Sequence, residues 1–134
     1  MQKDHFGTPT LIVITGPPAS GKTTLARTLA QAIRCPMISR DEIKEGLINT
    51  LRHNKGKQVD LNRDVYQIYF DLLESLLNNH ITLVTEAAFQ HKVWIPQLTK
   101  LQQIASIRLI CCTVDVATLK TRYIHRANFD PERA

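Results

Sequence analysis

Gly16, Gly21, Lys22 and Thr23 follow the spacing G-x-x-x-x-G-K-[ST] within GPPASGKTT, Gly16 to Thr24, the pattern of a loop that cradles phosphate. Each residue type has a chemical reason. The glycines permit a tight turn whose backbone N–H groups converge on phosphate oxygens. The helix that follows turns its positive N-terminal end to the same anion. Lys22 has the reach to neutralise terminal phosphates, and the Thr23 hydroxyl suits Mg2+. Pro17, Pro18, Ala19, Ser20 and Thr24 complete the cradle. Other chemistry-bearing residues stand downstream: Arg40 and Asp41 in ISRDE, Glu86 at the end of LVTE, and Arg122 with Arg126 in KTRYIHRAN. Phosphate-loop enzymes hold Mg2+ or its water with an acidic residue after an apolar strand, the position of Glu86. Arg122 and Arg126 stand at i and i+4, on one helical face.

These residues need elements to bring them together. TLIVIT (10–15) is short, β-branched and bounded by Pro9 and Gly16, which predicts a buried strand. Leu25, Leu29 and Ile33 recur at i+4 and predict a helix from Gly21 to about Arg34, ended by Cys35-Pro36. PMIS (36–39) is a second strand, and a helix runs from Ser39 to about Arg52. Ser39 to Glu42 also spell a capping box, S-x-x-E, which explains Ser39 and Glu42 without requiring Asp41. HNKGKQVDLN (53–62) is loop-like. A strong apolar stripe from Val65 to Leu77 gives a helix that ends at Asn79. ITLVTE (81–86) and IRLICCTV (107–114) are further strands. Between them lies a helix expected to open with Pro96 in its first turn, and a last helix is expected from Val116 to Ala127. Strands alternating with helices imply an α/β fold: a parallel sheet with helices on both faces, in three α/β/α layers. Ligands of such sheets bind at the carboxyl ends of the strands. Arg40, Asp41 and Glu86 all fall there, and Ala87, Ala88 and Phe89 leave room for a substrate beside them.

The chain resembles the P-loop kinases of the AAA_33, zeta-toxin and polynucleotide-kinase-like group, which also includes antibiotic phosphotransferases. The resemblance runs from Thr10 to about Arg126 and rests on GPPASGKTT, ISRDEIKEGL and LVTEAAF in that order. It implies a nucleotide-kinase-like P-loop NTPase fold, ATP and Mg2+ as cofactors, and transfer of the γ-phosphate to a hydroxyl. Gly16 to Thr24 would hold the nucleotide. Asp41 matches the aspartate that binds the acceptor hydroxyl and serves as general base. Arg40 would hold an anionic substrate group or the transferring phosphate. Glu86 stands where aspartate is commoner, so its longer side chain would meet the metal through water or contact the substrate. Arg122 and Arg126 match lid arginines that close over the phosphates. A fifth strand and closing helix usually follow in such folds. None is legible before Ala134, so the expectation is a short version of the fold or a fragment.

Composition narrows the classes. The 134 residues suit one domain, expected over 10–134 after a flexible lead-in over 1–9. A net charge of +5 fits an anionic ligand such as a nucleotide, and the positive charges are dispersed rather than run together. The three cysteines, Cys35, Cys111 and Cys112, make no disulfide framework and are expected to be buried thiols of a cytoplasmic protein. No apolar stretch reaches 18 residues, so no membrane span is expected. The expected partners are a nucleoside triphosphate and a small hydroxyl-bearing substrate. Two alternatives stay open. One is a zeta-toxin-like or polynucleotide 5′-hydroxyl kinase, less favoured because no dense basic stripe with interleaved aromatics is present. The other is a non-kinase nucleotide-binding ATPase or switch, although no N-K-x-D tetrapeptide accompanies Asn54-Lys55.

Overall fold

An apolar strand with no alternation must be covered on both faces, and Thr10–Thr15 (β1) is covered in this way. The computed structural model describes residues 7–17, 20–51, 61–88 and 91–113. After β1 come α1 (Lys22–Ile33), β2 (Met37–Ser39), α2 (Arg40–Leu51), α3 (Leu61–Asn78), β3 (Leu83–Glu86), α4 (His91–Leu101) and β4 (Ser106–Cys111). The described strands form a four-stranded sheet in the order β2-β3-β1-β4, and every pairing is parallel.

The two faces of the sheet carry different cores. Leu11, Val13 and Leu83 pack with Tyr69, Phe70, Leu73 and Leu77 of α3 and with Trp94 and Leu101 of α4. Ile14 and Val84 pack with Ala26 and Ala30 of α1. The two alanines, one turn apart, bring α1 close to the strands. Three aromatic rings interlock on the other side: Trp94 meets Tyr69 at 5.8 Å and Phe70 at 5.1 Å, both edge to face, the geometry that ring quadrupoles favour. The layering is the expected α/β/α arrangement.

Helix ends follow local rules. Arg34 adopts a left-handed conformation after α1, with φ 56°. The Cys35 N–H reaches back to the Ala30 carbonyl at 2.9 Å and the Arg34 N–H to that of Gln31 at 3.3 Å, a Schellman closure. His80 does the same after α3, with φ 63° and the Ile81 N–H bonded to the Leu76 carbonyl at 3.0 Å.

Four expectations are corrected. Pro96 lies inside α4 rather than in its first turn, because the helix already starts at His91. Its missing N–H leaves the Lys92 carbonyl without an intrahelical donor. α3 starts at Leu61, so 61 and 62 are helix and not loop. The apolar β4 is not buried among the described residues: Leu109 is 48% exposed and Ile110 37%. It stands last in the strand order, paired on one side by β1. Cys111, at the end of β4, is exposed, and Cys35 and Cys112 are only half-buried, where buried thiols were expected; all three are free. The expected helix over 116–127 lies outside the described residues.

Candidate functional site

The chain leaves β1 into a turn closed by the Ser20 N–H on the Pro17 carbonyl at 3.2 Å. Gly16 has no room for a side chain. A Cβ there would stand 2.6 Å from Ser20 Oγ and 2.8 Å from the Cys112 carbonyl. Gly21, just before α1, takes a left-handed conformation with φ 89° and ψ 9°, which glycine adopts without the steric cost of other residues. No side chain caps α1, and its first turn holds no acidic residue. The orphan N–H groups and positive end of this helix are therefore not neutralised from within. Lys22 is buried at 8% exposure, Thr23 is half-buried and Thr24 is exposed. Ser20 Oγ is buried without a hydrogen-bond partner among the described residues.

The next strand outward from β1 is β3, and it ends on Glu86. The register aligns Ile14, Glu86 and Ser39 across β1, β3 and β2. Glu86 is 2% exposed. Its Oε1 accepts a bond from the Ser39 hydroxyl at 2.8 Å, while its Oε2 is buried with no hydrogen-bond partner among the described residues. Ser39 Oγ also accepts from the Glu42 N–H at 3.3 Å, as an N-cap does. The capping box is only half made. The Glu42 carboxylate turns instead to Arg27 of α1 at 2.9 Å. Sequence reasoning saw Ser39 as a cap and missed its bond to Glu86. A hydroxyl residue at the end of a strand beside an acidic strand end was the available signal.

Beyond Ser39, the side chain of Arg40 is 15% exposed and that of Asp41 is 58% exposed. Arg40 Cζ lies 4.4 Å above the centroid of the Tyr66 ring, on α3. Its Nη1 is 3.7 Å from Asp41 Oδ1. Asp41 thus presents an open carboxylate at the strand edge. Tyr66 was not recognised as a site residue, because nothing in the sequence links it to Arg40. A deeper chain of bonds braces this region. Thr85 Oγ1 donates to the Ile38 carbonyl at 2.7 Å, which spends its single proton, so the Tyr69 hydroxyl donates to Thr85 at 2.5 Å. Burial pushes the Tyr69 hydroxyl well above the usual tyrosine range, with the Thr85 bond acting in the opposite direction.

Pro18, Ala19, Phe89, Arg122 and Arg126 lie outside the described residues. Among the described residues no cluster of three or more His, Cys, Asp or Glu is arranged for a metal, and no helix is long and apolar enough to cross a membrane. The oxygens present suit Mg2+, which takes one or two protein ligands and fills the rest with phosphate and water. Glu86 Oε2, buried and unpartnered, is such an oxygen, and the Thr23 hydroxyl in the first turn of α1 is a second.

Comparisons with known proteins agree with this geometry. A family model described as an AAA domain matches residues 11–134. No curated protein matches the chain. A candidate kinase from Chloroflexus aurantiacus superposes with a TM-score of 0.80 at 25% identity, over 93% of this chain and 69% of that one. A chain of the Pnkp1/Rnl/Hen1 RNA repair complex gives 0.70 at 19% identity, over 96% of this chain and 41% of its own length. A gluconokinase from Sinorhizobium meliloti gives 0.58 at 18% identity, over 90% and 67%.

Proposed function

The chain belongs to the AAA domain family, and on that premise we propose that it is a P-loop kinase. It transfers the γ-phosphate of ATP, with Mg2+, to a hydroxyl of a small molecule or nucleotide. One arrangement carries this reading. The phosphate loop, Glu86 and Asp41 follow the carboxyl ends of three neighbouring strands, β1, β3 and β2, so a phosphate-binding loop, an oxygen ligand and an open carboxylate share one edge of the sheet.

In this reading Gly16 to Thr24 hold the nucleotide, and Lys22 neutralises its terminal phosphates. The acceptor oxygen attacks the γ-phosphorus. The new O–P bond forms as the bond to the β-γ bridging oxygen breaks, ADP leaves with that electron pair, and Asp41 takes the hydroxyl proton. Thr23 and Glu86, the latter directly or through water, would hold Mg2+, which supplies charge neutralisation on the phosphate oxygens. Arg122 and Arg126 are assigned to the charge on the moving phosphoryl group. Arg40 and Phe89 border the acceptor.

Two variants separate binding from transfer. Lys22→Ala is expected to abolish phosphoryl transfer with little loss of stability. Asp41→Asn is expected to keep ATP affinity while transfer falls about 10²- to 10⁴-fold, the usual worth of a general base. Full transfer by Asp41→Asn would remove Asp41 from this role.

A further inference from the structure

A guanidinium carries five N–H donors in a rigid fork and cannot shed its charge. Such a group, once withdrawn from water, is ordinarily paired and hydrogen-bonded. Arg40 is withdrawn, with a side chain 15% exposed, yet among the described residues its guanidinium makes no hydrogen bond. Asp41 Oδ1 at 3.7 Å is beyond hydrogen-bond reach, and Arg40 Nε is buried with no hydrogen-bond partner among the described residues. The face of the fork is nevertheless fixed, because Cζ sits 4.4 Å over the Tyr66 ring. Tyr66 is itself stacked at 6.2 Å on Phe70 of the core. The cation is held in place, and among the described residues its N–H donors meet no hydrogen-bond acceptor.

We propose that the phosphate acceptor carries an oxyanion of its own, a phosphate or a carboxylate, and that Arg40 seated on Tyr66 binds it. That the anion belongs to an acceptor rests on the kinase reading; the oxyanion site does not. Topology separates this site from the nucleotide. β3 lies between β1 and β2, so two strand spacings, about 10 Å, divide the start of α2 from the phosphate loop. The Tyr66 platform belongs to α3 and packs on the core opposite the α1 face of the sheet. Arg40 is therefore turned toward α3, away from the loop that takes the nucleotide phosphates. Asp41, next in the chain and open to solvent, would meet the hydroxyl while Arg40 grips the anionic end of the same molecule. A planar fork matches the two oxygens of a carboxylate or phosphate in a bidentate pair.

The test uses the whole chain loaded with a non-hydrolysable ATP analogue and Mg2+, so that the phosphate loop is filled. Inorganic phosphate and acetate are added separately while the arginine Nε–Hε resonances are followed by NMR. The resonance that is missing in Arg40→Lys should shift saturably with one of the two anions, and that arm identifies the anion class. Tyr66→Leu, its folding checked by thermal unfolding, should weaken that binding roughly 3- to 30-fold, the worth of a cation–π contact. In transfer assays gluconate should outrun glucose, or glycerol 3-phosphate outrun glycerol. Arg40→Gln should raise KM for the charged member about 10- to 100-fold and raise it far less for the neutral member, so that the preference for the charged member is lost. An Arg40 resonance that moves with neither anion overturns the proposal. So does equal use of charged and neutral acceptors, an outcome that leaves the kinase reading standing. A saturable shift at Arg40 with no transfer to any acceptor would instead sustain the oxyanion site and sink the kinase reading.

Discussion

Ser39 joins two functions in one hydroxyl. It donates to Glu86 and accepts from the first turn of α2, so it ties the buried carboxylate to the helix that carries Asp41. Ser39→Ala removes the cap and strips Glu86 Oε1 of its bond in a site already lacking one for Oε2. A loss of about 1–3 kcal/mol is expected, measured by urea unfolding. Tyr69 gives a second prediction at this scale. Its folded pKa lies above the ordinary value of 10.0, chiefly through burial. The folded state therefore keeps the proton after the unfolded chain has lost it. Its contribution to stability is whole below pH 10 and declines as pH rises further, by at most about 1.4 kcal/mol per pH unit. Denaturation curves between about pH 9 and 11 should show that decline, and Tyr69→Phe should flatten it.

At the scale of elements, what was legible was what is local. The phosphate loop, the strand before it and the helix after it are contiguous, and each of GPPASGKTT's fixed residues has a reason within its own turn. The i+4 recurrence of Leu25, Leu29 and Ile33, and the stripe through α3, placed those helices to within a few residues. What was not legible depends on register or on exposure. Ser39 meets Glu86 only because β2 and β3 pair in parallel with those two residues level. Arg40 meets Tyr66 across a separation of many residues, with no periodicity to announce it. The apolar run of β4 reads as a covered strand, yet its burial depends on neighbours and not on its own composition. Pro96 misled because proline most often marks a first turn. Helix ends were only partly readable, since Arg34 holds a left-handed position that favours glycine. Arg34→Gly should raise stability by about 0.5–1 kcal/mol in thermal unfolding, the relief of that conformation exceeding the added entropy of the unfolded chain.

For the whole molecule, the strand order β2-β3-β1-β4 decides what can act together. It sets β1 beside β3 and leaves β2 outermost, so the nucleotide loop, Glu86 and the Arg40-Asp41 pair stand in sequence along one edge. A core on each face backs that edge: α1 on small alanines on one side, and the Tyr69-Phe70-Trp94 cluster on the other. The family match over residues 11–134 spans all of these elements. In the proposed reading, an edge that aligns a phosphate loop with an open carboxylate suits transfer to an acceptor, and a switch would need no such carboxylate. The most direct test follows the γ-phosphate itself. The protein is incubated with γ-labelled ATP and Mg2+ over a panel of sugars, sugar acids, nucleosides, nucleotides and oligonucleotides, and the products are separated. The account predicts label in a phosphorylated acceptor, lost in Asp41→Asn while that variant still binds ATP. Label released only as inorganic phosphate, at the same rate with or without any acceptor and in Asp41→Asn alike, would contradict it.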